Sequence, residues 1–244
     1  MKTLDTEFRS DGFILRGSLH LPDAPCPPLV VGSHGLEGTM NSAKQTVLAR
    51  LLPENGMAFF RFDHRGCGQS QGNFVQDTSL EKRTRDFTAA VSHVMGLSLT
   101  SDRLTLFGSS MGGATCINAW HALEQTGFRP MGGVLCAAPV ISRTIENIPL
   151  EGNGNRPALP LDFFKENLLF NILDKAKALH HVIIFHGDAD EIVPVSNAHA
   201  LYDAMQAPKE KIIHKNGSHQ MTSKVDQKDF EIRAIAWYQK IFNP

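Results

Sequence analysis

A glycine-flanked serine lies near the middle of the chain, between a short apolar run and a helical pattern. Residues 104–107 are apolar and are followed at 108–112 by the sequence GSSMG. Apolar residues then recur at steps of three and four, as on the buried side of a helix, at Cys116, Ile117, Trp120 and Leu123. This order of strand, sharp turn and helix is the context in which a G-x-S-x-G pattern exposes a nucleophilic serine.

The chemistry of such a serine explains the spacing of the two glycines. A serine that attacks a carbonyl must project from a tight turn, and the residues two before and two after it lie against neighbouring backbone. Glycine is therefore favoured at Gly108 and Gly112, and Ser110 is the predicted nucleophile. The helix that begins next directs free N–H groups and its positive dipole end toward the same turn.

Composition narrows the class of protein. The 244 residues suit one large α/β domain, and the 42% that are hydrophobic can bury both faces of a sheet. A net charge of −1 and the lack of a Lys/Arg block argue against a nucleic-acid or membrane-surface partner. No stretch approaches the ~18–20 apolar residues of a membrane span, and the first residues lack the apolar segment of a secretory signal. We therefore expect a cytoplasmic enzyme.

The cysteines support the same expectation. There are four of them, with no C-x-x-C spacing, at positions 26, 67, 116 and 136. Scattered cysteines of this kind are typical of small buried hydrophobes in a reduced protein, and not of a disulfide or zinc framework.

Apolar runs alternate with helical patterns along most of the chain. Strands are predicted at residues 3–8, 13–21, 29–31, 57–62, 104–107, 132–137, 182–185 and 211–214. Helices are predicted from about residue 42, after a capping box formed by Thr78 and Glu81, after Ser110, from 194 to about 205, and along the last amphipathic segment. This alternation favours a mostly parallel sheet covered on both faces. Sites in such sheets form at the carboxyl ends of the strands.

The alternation stops between residues 140 and 179. Glycines and asparagines at 152–155 and prolines at 157 and 160 predict loops, and an apolar cluster from Phe163 to Ile172 predicts a helix. The segment is too long for a plain connection. We predict a core in two parts, residues 1–139 and 180–244, with a small cap inserted at 140–179. A surface loop followed by one ordinary core helix is the alternative.

An activated serine needs a base, and the base needs an orienting acid. His219 is the predicted base, because a loop between the last strand and the last helix can carry its imidazole to the end of the sheet. His214, at the edge of the last strand, is the alternative. For the acid we predict Asp190, in the turn that precedes the next helix. Asp188 is the alternative, although its carboxylate is better placed to bond the loop backbone, and Glu191 is expected to face solvent.

A tetrahedral intermediate also needs two backbone donors for its oxyanion. We predict the N–H of Met111, directly after the serine, and the N–H of Leu36, in the loop that follows the strand at 29–31. The glycine at position 35 would let this loop approach the substrate. His34 is expected to brace the loop and not to take part in the chemistry.

Together these motifs resemble the α/β-hydrolase superfamily. Residues 33–35 look like its oxyanion loop, 63–70 like its D-x-R-G-x-G-x-S loop, 186–194 like its acid segment, and 217–219 like its histidine loop. The resemblance covers the chain outside the cap. It implies an α/β-hydrolase fold, with a mostly parallel eight-stranded sheet, helices on both faces and a small inserted cap. Within the superfamily, the short cap and the D-x-R-G-x-G-x-S loop resemble those of small esterases of the cinnamoyl (feruloyl) esterase and monoacylglycerol lipase type.

The combined prediction is a cofactor-free serine hydrolase that cleaves carboxylic esters of small to medium acyl groups through an acyl-enzyme. Thioesterase, acyl-peptide hydrolase and C–C hydrolase activity on the same triad are the alternatives, and a non-catalytic binding module is a further one. A small-molecule ester is the expected partner, and a homodimer is left open. A metal site at His186, Asp188 and Asp190 and a phosphate loop at 66–68 are weaker interpretations, since no supporting motif accompanies them. A Cys67 nucleophile is also weaker, because no base is assigned to it.

Overall fold

The computed structural model describes residues 1–144, 150–151 and 158–243. Its strands are β1 (Lys2–Ser10), β2 (Phe13–Leu21), β3 (Leu29–Ser33), β4 (Ala58–Phe62), β5 (Leu104–Ser109), β6 (Pro130–Cys136), β7 (Val182–Gly187) and β8 (Lys209–His214). Its α-helices are α1 (Ala43–Glu54), α2 (Phe74–Asp77), α3 (Leu80–Gly96), α4 (Met111–Gln125), α5 (Leu161–Asn167), α6 (Ser196–Ala204) and α7 (Lys224–Phe242). Short 3₁₀ segments span Ser142–Thr144 and Leu173–Ala178.

Across the described residues, eight strands form one sheet in the order β1-β2-β4-β3-β5-β6-β7-β8. β1 pairs antiparallel with β2, and β2 pairs antiparallel with β4. The remaining neighbours run parallel, so the carboxyl ends of β3 to β8 meet at one edge. The predicted fold class, a mostly parallel eight-stranded sheet with helices on both faces, is confirmed.

The central strands are apolar throughout because both of their faces are covered. Successive side chains of a strand point to opposite faces. Leu29 and Val31 accordingly pack in one core with α3 and α4, and Val30 packs in the other with α1 and α7. All five residues of β3 are buried. This double burial explains why the strands read as continuous apolar runs instead of alternating ones.

The helix that follows residue 78 is capped differently from the prediction. Ser79 is the N-cap of α3, and its side chain accepts a hydrogen bond from the N–H of Lys82. The Thr78–Glu81 capping box is therefore wrong, because the residue three positions after the true cap is a lysine. The Thr78 hydroxyl is buried instead, and it has no hydrogen-bond partner among the described residues.

The segment between residues 140 and 179 holds α5 and the two 3₁₀ segments. The predicted helix is shorter than its apolar cluster, since α5 ends at Asn167 and Ile172 lies beyond it. Phe163, Leu168 and Ile172 are buried in the same core as α4. The loops predicted at 152–155 and at Pro157 lie outside the described residues. The division into a two-part core and an inserted cap stays a prediction.

All four cysteines are free thiols; Cys67, Cys116 and Cys136 are buried, whereas Cys26 is exposed. Burial raises the pKa of the Cys136 thiol to about 12. Among the residues described, no helix has both the length and the apolar character needed to cross a membrane.

Candidate active site

Ser110 occupies a strained turn between β5 and α4. β5 ends at Ser109 and α4 begins at Met111, and Ser110 alone joins them with φ 53° and ψ −125°. A non-glycine residue with positive φ is held there only when the surroundings enforce it. Here the Ser110 N–H donates to the Cys136 carbonyl of β6 at 2.7 Å. The turn therefore holds the serine at the carboxyl end of the sheet.

The two glycines around Ser110 are required by close backbone contacts. A Cβ at position 108 would lie 2.5 Å from the Gly112 carbonyl oxygen. A Cβ at position 112 would overlap the Ser33 carbonyl of β3 and would lie 2.7 Å from the His34 carbonyl. Close backbone contacts therefore require glycine at both positions, as predicted.

The structure brings Ser110, His219 and Asp190 together from three separate loops. His219 Nε2 lies 2.9 Å from Ser110 Oγ, and His219 Nδ1 lies 2.8 Å from Asp190 Oδ2 and 3.0 Å from Oδ1. An ionised carboxylate only accepts hydrogen bonds, so Nδ1 carries the proton that it donates to Asp190. Nε2 of the neutral ring is then free to accept the Ser110 hydroxyl proton.

Asp190 is held in its ionised form. Its side chain is fully buried, and Oδ1 accepts from the N–H groups of Ile192 at 2.9 Å and Val193 at 2.8 Å. His186 Nε2 lies 3.1 Å from Oδ2. Burial alone would raise the pKa of this carboxyl, but the hydrogen bonds from His186 and His219 hold it well below its usual value. Asp190 can therefore orient His219 and stabilise its protonated form.

The alternatives weighed from the sequence occupy other positions. His214 closes β8 and bonds Asp229 Oδ2 at 3.1 Å, away from the serine. Asp188 Oδ1 accepts the Asn216 N–H at 2.5 Å, which is the backbone-bonding role expected of it. Glu191 is exposed, as predicted, but its Oε2 also accepts the backbone N–H of His219 at 3.0 Å. That contact joins residues 28 positions apart, so the sequence alone does not predict it.

The two predicted oxyanion donors flank the serine. Leu36 and Met111 line the same cavity as Ser110. Gly35, the residue before Leu36, lies against Ser110. Among the described residues, neither N–H is paired with another protein group. Free donors beside the nucleophile are what an oxyanion site needs. Their role in binding an oxyanion stays a prediction.

Buried side chains brace the loop that carries Leu36. His34 Nδ1 donates to the Gly35 carbonyl at 2.7 Å, and His34 Nε2 accepts the His64 N–H at 3.1 Å. Arg83 of α3 donates to the carbonyls of His34 and Gly35. Burial, together with the Arg83 charge, keeps the pKa of His34 well below its usual value. His34 is thus a neutral bracing residue, as predicted.

A second buried layer lies beneath this loop. Arg65 donates to Asp86 Oδ1 from Nε at 2.9 Å and from Nη2 at 2.6 Å, and Ser33 Oγ bonds His64 Nε2 at 2.8 Å. Arg83 and Asp86 support the site, although they were not predicted from the sequence. The available signal was their position on the face of α3 that also carries Leu80 and Phe87, where a buried charge needs a partner.

The triad opens onto a cavity of about 690 Å³. One wall is formed by Phe164, Leu168 and Phe170 from the segment between 140 and 179, and the opposite wall comes from α1, α7 and Phe107. In the part of the chain that is described, no group of three His, Cys, Asp or Glu residues could hold a metal ion. Burial raises the pKa of the Cys67 thiol, which makes it a poor nucleophile.

Comparisons with known proteins identify relatives of this chain. The family model described as serine aminopeptidase, S33, matches residues 25–153. The uncharacterized protein YfhR of Escherichia coli K12 is 28% identical over 191 residues, and the match covers 78% of this chain and 62% of YfhR. The mitochondrial palmitoyl-protein thioesterase ABHD10 of Mus musculus is 26% identical over 217 residues, which cover 82% of this chain and 71% of ABHD10.

The fold has close structural neighbours as well. Est1E from Butyrivibrio proteoclasticus, solved with ferulic acid bound, superposes with a TM-score of 0.77 at 24% identity. The superposition covers 95% of this chain and 99% of Est1E. The predicted α/β-hydrolase resemblance is confirmed. The chain spans only about 62% of the length of YfhR, the first of its curated relatives.

Proposed function

We propose that this chain, which belongs to the serine aminopeptidase S33 family of α/β-hydrolases, hydrolyses carboxylic esters of small to medium acyl groups through an acyl-enzyme. The observation that carries the proposal is the continuous hydrogen-bonded series from Ser110 through His219 to Asp190 at the mouth of a largely apolar cavity. A nucleophile, a base and an orienting acid in this order are the parts that acyl transfer requires.

The proposed reaction uses these groups in turn. Ser110 Oγ attacks the ester carbonyl carbon while His219 Nε2 takes the hydroxyl proton, and the carbonyl oxygen becomes an oxyanion beside the N–H groups of Leu36 and Met111. The intermediate collapses, the C–O bond to the alcohol breaks, and His219 gives its proton to the leaving oxygen. His219 then deprotonates a water molecule that attacks the acyl-enzyme, which releases the acid and restores Ser110. Asp190 stabilises the imidazolium in both halves of the cycle.

The residues between 140 and 179 supply the proposed acyl wall. Phe164, Leu168 and Phe170 present apolar surface to the cavity, as acyl pockets do. The assignment of this segment as a cap, the cytoplasmic location and the oligomeric state are carried forward as predictions.

The proposal is tested by covalent labelling together with turnover. A fluorophosphonate probe should label the wild type, and short p-nitrophenyl esters should be hydrolysed. Ser110→Ala should abolish labelling and lower kcat by at least ~10⁴-fold. Ser92→Ala is the matched control, because Ser92 is an exposed residue of α3. Full activity in Ser110→Ala would exclude the mechanism.

A thioesterase is the second candidate. The similarity to a palmitoyl-protein thioesterase, which covers 82% of this chain, and the apolar wall of the cavity favour it. The triad chemistry is the same for both ester types, so the fold does not choose between them. Matched butyryl and octanoyl oxoesters and thioesters separate the two functions. A higher kcat/KM for thioesters of both lengths would replace the ester hydrolase with the thioesterase.

A further inference from the structure

The loop that carries His219 contains a strained turn. This loop lies between β8 and α7, and within it the Met221 N–H donates to the Ser218 carbonyl at 3.0 Å. His219 and Gln220 are thus the two central residues of a β-turn. Met221 itself has φ 51°, in the left-handed region that a bulky side chain rarely adopts. A residue stays in that region only when its surroundings hold it there.

Two contacts hold Met221 in this conformation. Its side chain is 2% exposed and packs in the same core as Phe107 and Phe230. The peptide group that precedes it is held by Lys44 of α1, whose Nζ donates to the Gln220 carbonyl at 2.7 Å. Because φ of Met221 is the rotation that joins this planar peptide group to its Cα, the lysine bond opposes relaxation of the strain.

Lys44 is suited to hold a carbonyl group in place. It lies in the first turn of α1, it is half-buried, and its Nζ lies 6.0 Å from the centre of the Phe230 ring. A charged donor makes a stronger hydrogen bond than a neutral one. The face of the aromatic ring attracts the same ammonium group and so favours the position from which it donates.

The other side of the turn is held from a different element. Glu191 Oε2 accepts the His219 N–H, and Asp190 bonds the His219 ring. Both acids belong to the loop after β7, whereas Lys44 belongs to α1. The main chain at the base is therefore tied to two separate elements, through the N–H of His219 and through the carbonyl of the next residue. Loss of the Lys44 bond frees the second of these groups.

The alignment of His219 depends on this main chain. Its Nε2 lies 2.9 Å from Ser110 Oγ, and transfer of the hydroxyl proton requires a separation of about 2.6–3.2 Å. If the Gln220 carbonyl is released, Met221 can rotate toward a relaxed φ, and the turn that includes His219 rotates with it. A shift of about 1 Å at a reacting group can lower the rate about a hundredfold, so even a partial shift has a measurable cost.

We propose that Lys44 is a positioning residue that aligns His219 with Ser110 by holding the Gln220 carbonyl. The inference rests on the proposed ester hydrolysis. It extends that function by giving α1 a part in it, since this helix supplies the group that sets the orientation of the base. Lys44 also lines the cavity, so direct contact with the substrate is the competing role.

The test removes the donor and then restores it. Lys44→Met keeps an unbranched side chain of similar length that cannot donate. On p-nitrophenyl butyrate we expect kcat to fall about tenfold and KM to change by less than about twofold, because the base is misaligned while the cavity wall is kept. The rate constant for fluorophosphonate labelling should fall by a similar factor, since this reaction also needs Ser110 activated by His219. Lys44→Arg restores a charged donor and should return kcat to within about threefold of the wild type.

Lys82→Met is the matched control. Lys82 is also half-buried, and its Nζ also donates to a main-chain carbonyl at 2.7 Å, that of Gln76 in α2. This variant should keep the wild-type kcat. The end point of fluorophosphonate labelling counts the active sites, so an unfolded fraction does not lower the measured kcat. If Lys44→Met does not fold, Lys44→Gln, whose side chain is one atom shorter than lysine, should show the same loss.

Three results would overturn the inference and leave the ester hydrolase intact. The first is a kcat within about twofold of the wild type in Lys44→Met. The second is a higher KM with unchanged kcat, or a loss that differs between acetate and butyrate esters, which would show that Lys44 contacts the substrate. The third is an arginine variant as slow as the methionine variant. A wild type that neither hydrolyses any ester nor reacts with the fluorophosphonate would instead reject the proposed function.

Discussion

The two halves of the candidate site are held in place by different forces. Ser110 is fixed by backbone, through a strained turn, two obligatory glycines and a hydrogen bond to β6. His219 is fixed by carboxylates, since Asp190 bonds its ring, Glu191 bonds its N–H and Asp188 bonds the Asn216 N–H. The position of the nucleophile thus depends on steric fit, whereas the position of the base depends on ionised side chains from the loop after β7.

We expect the largest loss of activity when the carboxylate that orients His219 is removed. Asp190→Asn keeps the size of the side chain, but its amide can donate to His219 Nδ1 and so favour the wrong tautomer. We expect kcat to fall by about 10⁴-fold, with little change in fold. Steady-state kinetics on p-nitrophenyl butyrate measures the fall in kcat, and far-UV circular dichroism checks that the fold is unchanged. A loss of less than tenfold in a folded variant would show that Asp190 does not orient the base.

A change in the turn around Ser110 is expected to lower stability, and its effect is smaller than that of Asp190→Asn on activity. Gly112→Ala places a methyl group against the carbonyls of Ser33 and His34, so β3 and α4 must separate. We expect a loss of about 3 kcal/mol of unfolding free energy, measured by urea denaturation. Gly96→Ala, at the end of α3, is the control, because an added Cβ there would meet no neighbouring group within 4 Å. It should change the unfolding free energy by less than about 1 kcal/mol. Equal effects of the two variants would contradict the steric account.

The turn around Ser110 and the three triad residues could be predicted from the sequence, but the buried residues that support them could not. The glycines at 108 and 112 follow from the steric limits of a tight turn. The loop positions of His219 and Asp190 follow from the chain order serine, acid, histidine that accompanies such a turn. The strand order and the contact between Glu191 and the His219 N–H depend on which distant segments meet in space. The Ser79 cap is local, but the Thr78–Glu81 pair offered a competing match one residue earlier. Arg83 and Asp86 were missed because a charged residue in a helical pattern gives no sign of which loop it will bond.

The smallest effect is expected on the pH dependence of stability, through the buried histidine beneath the site. Burial, together with the Arg83 charge, lowers the pKa of His64 to about 3, so the folded protein keeps the ring neutral while the unfolded chain protonates it near its ordinary value of 6.5. The unfolded state then binds more protons, and the free energy of unfolding falls as the pH drops below about 6.5 toward 3. Each pH unit costs at most about 1.4 kcal/mol for this group.

Urea denaturation at pH 7.5, 6 and 5 measures that slope. His64→Gln should show a shallower decline, and His121→Gln, at an exposed position of α4, should keep the wild-type slope. The same slope in the wild type and in His64→Gln would show that His64 does not contribute to the loss of stability at acid pH.

The central claim is that a covalent acyl group forms on the serine at the end of β5. The most direct test is acid quenching of the enzyme during turnover of p-nitrophenyl butyrate, followed by mass spectrometry of the peptide that contains residues 104–115. We predict a butyryl adduct on Ser110 in the wild type. The trapped fraction should be larger when the reaction is quenched at short times than when it is quenched after the substrate is consumed. Sustained turnover with no adduct at Ser110, or an adduct on another residue that persists in Ser110→Ala, would contradict the account.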